Sequence, residues 1–474
     1  MTGVSFADYV RKNVVLINPP IVAAKGDISG TGAVYWPIVL AYVAEIVRPW
    51  HNVRVVDMFG MNPTNRTEDS EVYRFGIDYE SIGKYIKKGD VVVLYSGLAV
   101  GHNQALKLIK EIKKTDVESI IVIENPNSVN ACPLDIYAKN YKELGCVVIP
   151  GYPFGCILDA IDGNFKYRGR VYFDDFDSLN FPKWFGFPIV SYWNLNHAHA
   201  PKTDKKYVQI YTSWGCPNSC KFCSAPHLSG KKWFGRSAEN VVDEMKYWNR
   251  NGVFEFHIED LNPTVDKKRI EDICQLMDTY GIVANLKIAA GTRMDDLDEK
   301  TIIDLGRHGL SYLSFSPESG YWVTLMEMNK SFNYDHALKM LDVINDRKKV
   351  KNGMITQACF IVGYPGTGEE ELDRTMEYIG KMIRHGLDEV GLFGFCPTPG
   401  SEFWKGDIKS ENINFSSMWC KDGKRIRSLR RNMALLFYLG KMWYSPIKTV
   451  LRLPKTKTWM TFRRLGFDII SGLK

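Results

Sequence analysis

Residues 207–223 are YVQIYTSWGCPNSCKFC, an apolar run that is followed by Cys216, Cys220 and Cys223. Three thiolates within eight residues can surround one inorganic centre. A 4Fe-4S cluster normally takes four cysteines, so three closely spaced cysteines leave one iron open to another ligand. The spacing therefore predicts a metal-binding loop directly after a strand, and a cluster is one group that it suits.

These cysteines could also serve a structural purpose. Together with His227 they could form a four-ligand structural zinc site, because zinc accepts mixed Cys and His ligands. Structural disulfides fit less well, since ten cysteines in 474 residues are few and no signal peptide is evident. The spacing by itself leaves the cluster and the zinc site open.

The composition is typical of a soluble globular protein of two or three domains, with 45% hydrophobic and 24% charged residues. No apolar run reaches the roughly 18 residues of a membrane span, and we expect a cytoplasmic protein. The net charge of +7 is uneven, because residues 421–474 hold fourteen Lys and Arg against two acids, a net +12, and the rest sums to −5. We expect no nucleic-acid partner.

Apolar runs alternate with helical segments across residues 13–163. The predicted strands are 14–18, 53–58, 91–96, 119–124 and 146–150, and the predicted helices are 36–47, 79–87, 103–114 and 153–161. This alternation predicts a doubly wound, Rossmann-like parallel sheet, whose ligands bind beyond the carboxyl ends of the strands. Residues 164–206 lack the pattern and are predicted to be a linker, in which we interpret His197 and His199 as surface residues.

The alternation becomes more regular across residues 207–400. The predicted strands are 208–214, 254–260, 286–291, 313–318, 356–362 and 389–395. Six repeats predict an α/β domain that is three quarters of a (β/α)8 barrel, a partial (β/α)6 TIM-type barrel with its function at the carboxyl ends of the strands. Residues 401–474 then form a basic helical C-terminal segment.

The C-x3-C-x2-C spacing after the first barrel strand resembles the signature of the radical S-adenosylmethionine superfamily. In that family three cysteines bind a 4Fe-4S cluster, and the open iron is chelated by S-adenosylmethionine. One electron cleaves the sulfonium to a 5′-deoxyadenosyl radical, which abstracts hydrogen from carbon. The resemblance implies that Cys216, Cys220 and Cys223 are the metal ligands and that an external donor, such as flavodoxin or ferredoxin, supplies the electron.

The resemblance also implies contacts with S-adenosylmethionine at the ends of successive strands. Phe222, between two cysteines, would shield the cluster or reach adenine, with simple packing as the alternative. Adjacent acids at the second strand end suit an ammonium group, and an arginine after the third could pair with a carboxylate. The residues expected near this cofactor at strand ends are Glu259, Asp260, Arg293, Glu318, Ser319, Gly363 and Pro365.

Residues 13–163 resemble the cobalamin-binding domain that precedes the barrel in many members of the superfamily. The motif NPP starts at Asn18 and the motif SGL runs from Ser96 to Leu98, which implies cobalamin contacts at these three positions. Two features depart from the family pattern. The residues ENP, which start at Glu124, replace a double glycine, and no D-x-H-x-x-G motif supplies an axial histidine. A side chain would then stand where backbone must approach the ligand, so a domain that keeps the fold without cobalamin is the alternative.

These features predict a radical S-adenosylmethionine enzyme that, with cobalamin, transfers a methyl group to an unactivated carbon of a small-molecule or lipid-like metabolite. Without cobalamin, a radical dehydration, epimerisation or ring rearrangement is expected, and a non-catalytic corrinoid or cluster carrier is the alternative from another class. The basic segment from residue 421 is expected to hold an acidic substrate or to lie on an anionic membrane, peripheral to the inner membrane face. The plain alternative is a helical cap on the barrel with a solvated basic face.

Overall fold

The computed structural model describes residues 10–25, 33–69, 72–350, 353–406, 413 and 423–457. Two parallel sheets dominate these residues, and each is built from strands that alternate with helices. No helix in the described ranges is both long enough and apolar enough to cross a bilayer.

Eight strands and five helices form the first part of the chain. The strands are β1 (Asn13–Asn18), β2 (Ile21–Ala24), β3 (Asn52–Asp57), β4 (Arg66–Asp69), β5 (Val72–Phe75), β6 (Val91–Ser96), β7 (Ser119–Glu124) and β8 (Val147–Ile149). The helices are α1 (Ile38–Val47), α2 (Met58–Met61), α3 (His102–Ile112), α4 (Leu134–Glu143) and α5 (Ile157–Ile161).

Five of these strands form a parallel sheet in the order β3-β1-β6-β7-β8, and β2, β5 and β4 form a small antiparallel sheet beside it. The parallel strands are continuous apolar runs because helices cover both faces, and every residue of β6 is buried. This strand order is a doubly wound arrangement whose order reverses between β1 and β6. A crevice therefore opens at the carboxyl ends of those two strands.

The second part of the chain begins with helix α6 (Ile189–Asn194) and continues with eight strands. These are β9 (Tyr207–Ile210), β10 (Ser213–Gly215), β11 (Trp233–Gly235), β12 (Glu255–Ile258), β13 (Asn285–Thr292), β14 (Leu310–Glu318), β15 (Ile355–Val362) and β16 (Glu389–Gly394). The intervening helices are α7 (Ala225–Ser229), α8 (Ala238–Arg250), α9 (Lys267–Tyr280), α10 (Glu299–Arg307), α11 (Trp322–Glu327), α12 (Tyr334–Asn345) and α13 (Glu369–Arg384).

Six of these strands form one parallel sheet in the order β9-β12-β13-β14-β15-β16, as expected for a partial (β/α)6 barrel. The first strand is shorter than predicted, because the chain leaves the sheet after β9 and β10 pairs with β11 instead. The cause lies far along the sequence: the carboxylate of Asp260 accepts hydrogen bonds from the backbone N–H and the hydroxyl of Thr212, at 2.7 and 2.6 Å. The cysteine-bearing loop therefore starts from a separate two-stranded ribbon.

One hydrophobic core runs through both sheets, and helix α1 lies at their junction. The ring centroid of Tyr42 on this helix is 5.6 Å from that of Trp214, and the indole N–H of Trp36 donates to the hydroxyl of Tyr207 at 3.0 Å. The connecting residues 164–206 also bridge the two parts. Tyr192 on α6 donates to Asp57 at the end of β3, at 2.6 Å.

Two further helices, α14 (Gly423–Tyr444) and α15 (Pro446–Arg452), close the described chain. The inner side of α14 buries Phe437 and Lys441 against the end of the barrel. The ammonium group of Lys441 donates to the backbone oxygens of Leu387 and Asp388, at 2.8 and 2.9 Å, just before β16 begins. The C-terminal turns of α14 and helix α15 are therefore attached at the amino end of the last strand, opposite the end where function is expected, while Arg430, earlier on α14, donates to the carbonyl of Leu392 near its carboxyl end.

Candidate functional site

The three predicted metal-ligating cysteines lie together in the loop of residues 216–223, which we call the cysteine loop. None of them is in a disulfide, and all three are partly exposed. The backbone N–H of Ala225 donates to the sulfur of Cys223 at 3.4 Å, and the amide of Asn218 donates to the sulfur of Cys216 at 3.5 Å. Such donors stabilise thiolate charge, which both a metal ion and a cluster require.

The cysteine loop is held by segments that follow the fourth and sixth barrel strands. The backbone N–H of Lys221 donates to the carbonyl of Met328 at 3.0 Å, and the side-chain amide of Asn329 donates to the carbonyl of Ser219 at 2.9 Å. From the other side, the N–H of Glu402 donates to the carbonyl of Lys221 at 3.0 Å. The loop is therefore fixed over the carboxyl end of the barrel.

Glu318 and Lys330 form a buried ion pair beside this loop, with 2.8 Å between the carboxylate and the ammonium group. Burial raises the pKa of the Cys220 thiol, and the charge of Lys330 opposes that rise while Glu318 adds to it. Glu318 adopts a left-handed backbone conformation, with φ of 66°, which non-glycine residues seldom use away from special sites. Lys330 was not anticipated from the sequence, because no local pattern marks it.

The neighbouring predicted residues take different roles in the packing. The hydroxyl of Ser319 donates to Glu371 on α13 at 2.8 Å, so it anchors the strand end to a helix. Arg293 donates to Asp295 at 2.7 Å and to the carbonyl of Ser331 at 2.6 Å. Its positive charge also lowers the pKa of the Cys220 thiol, against the effect of burial, so it lies near the cysteine loop.

The adjacent acids at the end of β12 point in different directions, as successive residues of a strand do. Asp260 is fully buried and also accepts a hydrogen bond from the hydroxyl of Ser213 at 2.6 Å. Its side chain therefore holds the segment in which the cysteine loop starts. Glu259 instead contacts His199, with 2.6 Å between Oε2 and Nδ1, and its Oε1 is buried without a partner among the described residues. Of these two acids, Glu259 is therefore the one with an acceptor atom that has no partner in the described residues.

His199 is not the surface residue that the sequence predicted, since its side chain is 11% exposed. Its ring lies 4.5 Å from that of Tyr35, which comes from the loop before α1. Burial lowers the pKa of His199, and the Glu259 carboxylate opposes that shift. This cluster joins three distant segments of the chain, and no sequence signal could have identified it.

Phe222 packs in an apolar cluster that includes Leu325, Met328, Tyr364 and Phe395. Gly363, before Tyr364, has a φ of 80°, a conformation that L side chains rarely adopt, while Pro365 is exposed on the following turn. The cysteine loop and the fifth strand end therefore meet through aromatic packing.

The residues that were predicted to contact cobalamin lie at the carboxyl edge of the first sheet, on either side of the crevice. The amide of Asn18 donates to Asp57 at 2.7 Å, and the hydroxyl of Ser96 is 2.9 Å from that of Tyr141. Leu98 is partly buried against a small apolar cluster. The two polar side chains are thus engaged within the sheet, and they shape the crevice.

Glu124, at the position of the missing double glycine, turns its carboxylate into the protein. It accepts a hydrogen bond from the backbone N–H of Leu134 at 2.5 Å and forms a buried ion pair with Arg170. Arg170 also contacts Asp135, with 2.5 Å between the charged groups. The side chain at this position is therefore part of an internal network.

The loop after β7 connects the carboxyl end of the first sheet to the cysteine loop. The amide oxygen of Asn127 accepts from the N–H of Gly215 at 2.8 Å, and its amide nitrogen donates to the carbonyl of Ser213 at 3.1 Å. Asn125 adds a hydrogen bond of 3.0 Å to the hydroxyl of Tyr211. The carboxyl ends of the two sheets therefore face each other, which the sequence did not reveal.

The alternative zinc site would use His227 as its fourth ligand. The Nε2 of His227 lies 2.8 Å from the carboxylate of Asp135 on α4. A zinc-bound histidine commonly contacts a carboxylate through its second ring nitrogen, so this contact fits both the zinc site and the cluster.

Comparison with known proteins agrees with this arrangement. Residues 210–379 match the model of the radical SAM superfamily. An uncharacterized methyltransferase from Pyrococcus horikoshii is 24% identical over 90% of this chain and 92% of its own length. Cytidylyl-2-hydroxyethylphosphonate methyltransferase from Streptomyces wedmorensis is 23% identical over 84% of this chain and 82% of its own.

Two solved structures share the fold. The radical S-adenosylmethionine methyltransferase TsrM from Kitasatospora setae superposes with a TM-score of 0.62 at 14% identity, over 82% of this chain and 74% of its own. The cobalamin-dependent S-adenosylmethionine radical enzyme OxsB also gives 0.62 at 14% identity, over 85% of this chain and 54% of its own. Residues 210–379 therefore form a radical SAM domain.

Proposed function

We propose that this enzyme transfers a methyl group to an unactivated carbon of a small-molecule or lipid-like substrate, with a 4Fe-4S cluster, S-adenosylmethionine and cobalamin. The observation that carries the proposal is the direct contact between the carboxyl ends of the two sheets, made by Asn127 with Ser213 and Gly215. Ligands of both sheet types bind at these ends. Two cofactors held there would approach one substrate from opposite sides.

Cys216, Cys220 and Cys223 would hold the cluster. Their thiols fit this group, because they are free of disulfides and two of the sulfurs accept N–H hydrogen bonds. When bound, the cluster supplies the electron that cleaves S-adenosylmethionine to the 5′-deoxyadenosyl radical, and cobalamin supplies the methyl group. The chain itself binds these groups, orients them and excludes water.

Glu318 would hold the amino-acid end of S-adenosylmethionine. The nearby cations Lys330 and Arg293 would balance the carboxylate of this cofactor. Glu259 would accept a hydrogen bond from a ligand, because its Oε1 is buried and has no partner in the described residues. The turn at Gly363 would bring backbone close to adenine, since a side chain there would be strained. Phe222 would cover the cluster from the apolar cluster in which it packs.

Cobalamin would bind in the crevice between β1 and β6, beside Asn18, Ser96 and Leu98. The Glu124 network supports this fit, because the carboxylate is turned away into contacts with Arg170 and Leu134. The protein would supply no axial histidine. His102, near the crevice, is buried and engaged, with 3.0 Å between its Nδ1 and the hydroxyl of Tyr141.

The visible spectrum of the anaerobically purified enzyme tests the cofactors, because cluster and corrinoid absorb at different wavelengths. We expect both absorptions, together with 5′-deoxyadenosine when a reductant or flavodoxin is added. Cluster without corrinoid would favour the cobalamin-independent radical reactions, and corrinoid without any 5′-deoxyadenosine would favour a carrier. Replacing the three loop cysteines by alanine should abolish iron binding, whereas Cys274→Ala, a buried cysteine on α9, should not.

Glu318→Ala tests the cofactor subsite separately. We expect weaker binding of S-adenosylmethionine in calorimetric titration with an unchanged iron content. Tyr321→Ala, three residues along and partly exposed, is the control. An unaltered affinity in the Glu318 variant would return this residue to a purely structural role.

A further inference from the structure

The C-terminal helices are apolar on both sides, and only one side is covered. The inner side of α14 buries Met433, Phe437 and Lys441, which follow a helical spacing of four. Nine large apolar side chains on α14 and α15 point outward and are between 47% and 83% exposed. We call them the outer face: Leu435, Leu436, Leu439, Met442, Trp443, Tyr444, Ile447, Val450 and Leu451.

This surface is larger than the scattered apolar residues that soluble proteins normally expose. Its members recur at helical spacing, as in Leu435, Leu439 and Met442, and continue onto α15 through Ile447 and Val450. Trp443 is the most exposed member, at 83%. Contiguous apolar surfaces of this kind mark sites that another surface covers.

The charge around the outer face limits what can cover it. The sequence contains no Asp or Glu from residue 423 to residue 467, while Arg431 and Lys455 in the same segment are exposed. An apolar face on a segment whose charged residues are all basic suits an anionic lipid surface, because the apolar groups enter the acyl region and the cations meet the headgroups. A second copy of the same face would oppose cation to cation.

Three basic residues of this segment contact the barrel and are not part of the outward surface. Lys441, Lys448 and Arg452 all contact the buried carboxylate of Asp388, with the guanidinium of Arg452 at 2.6 Å. These three cations attach the helices to the barrel and do not form the solvated basic face that a simple cap would have. The outward surface of α14 and α15 is therefore mainly apolar, and Arg431 is an exposed cation on α14.

We propose that the outer face docks the enzyme on an anionic membrane surface, with α14 and α15 lying in the plane of the interface. This association goes beyond the proposed methyl transfer and does not depend on it. The part of the face around Lys441 and on α15 lies beside the amino end of β16, where Lys441 contacts Leu387 and Asp388, so docking there leaves the carboxyl end of the barrel accessible.

Vesicle sedimentation of the full-length protein tests the proposal, with phosphatidylglycerol–phosphatidylcholine vesicles compared with pure phosphatidylcholine. We expect strong sedimentation with the anionic vesicles and at least tenfold weaker partitioning for Val450→Glu. Val283→Glu is a matched control, because Val283 is 63% exposed outside the outer face and Val450 is 61% exposed. Leu439→Glu, on the other helix, provides a second variant should Val450→Glu fold poorly.

Three outcomes would overturn the proposal. Equal sedimentation of Val450→Glu, Val283→Glu and the unmodified protein would show that the outer face does not bind lipid. A lipid-free dimer in light scattering that Val450→Glu dissociates would assign the face to a second copy of this chain. Protection of Trp443 from hydroxyl-radical labelling in the lipid-free monomer would mean that another segment of the chain covers it.

Discussion

Asp388 is expected to hold the C-terminal helices on the barrel, and Asp388→Asn tests this role. Its side chain is 1% exposed and contacts Arg452 at 2.6 Å and Lys441 and Lys448 at 3.5 Å. Asparagine keeps the shape but removes the charge. Two of the three cations then lose their contacting counter-ion while nearly buried, since Lys441 is 3% and Arg452 10% exposed.

The magnitude follows from the cost of an uncompensated buried charge. Removing one partner of a buried ion pair costs about 3–5 kcal/mol. The three contacts share one carboxylate and do not add. Burial also lowers the pKa of Lys448 to about 8, so this residue can lose its proton once Asp388 is neutral, which relieves part of the cost. We therefore expect the lower part of the range, about 3 kcal/mol.

Urea unfolding followed by circular dichroism measures this loss. With a slope of about 3 kcal/mol per molar urea, the midpoint should fall by about 1 M, and α14 should become more sensitive to protease. Asp342→Asn is the control, because Asp342 is 59% exposed and pairs with His385 at the surface. That variant should lose less than about 1 kcal/mol. Equal midpoints for the two variants would refute the reasoning.

Three further outcomes are expected. Gly320→Ala should lower the melting temperature, because a Cβ there would lie 2.5 Å from the Cα of Thr375, whereas Gly380→Ala, with no atom within 4 Å, should raise it slightly. Burial raises the pKa of Asp135, but its histidine and arginine partners outweigh burial and hold it at about 2. Its ionised form should thus contribute about 2 kcal/mol that is present above pH 4 and lost as the pH falls towards 2, and Asp135→Asn should remove this component of acid unfolding. Paramagnetic resonance of cob(II)alamin in the enzyme should lack nitrogen superhyperfine splitting, and such splitting that disappears in His102→Ala would contradict the expected absence of a protein axial ligand.

Much of the fold follows from local sequence patterns. The strands 91–96 and 119–124 were predicted to the residue, because each is a continuous apolar run whose two faces are both buried. Helix Leu134–Glu143 was not predicted, because few of its residues are buried and the apolar side of the helix is short. The segment 79–87 was predicted as a helix, and the structure has a 3-10 helix over Tyr79–Lys84.

The candidate site divides in the same way. The sequence predicted the cysteine loop from spacing alone, and the structure brings Glu318, Arg293 and Phe222 near it. The roles of these side chains as ligand contacts remain predictions. Lys330 was not identified and His199 was wrongly predicted to be a surface residue, because the partner of each residue lies elsewhere in the chain.

The sequence by itself determined the order of strands and helices and the position of the three cysteines, because these depend on periodicity and spacing within a few residues. Only the tertiary structure decided which charged groups pair with each other inside the protein, as in the contacts of Asp388 with cations more than 50 residues away. It also decided which side of α14 faces solvent. Both sides of that helix are apolar, so the sequence pattern could not distinguish the face that packs on the barrel from the face that remains uncovered.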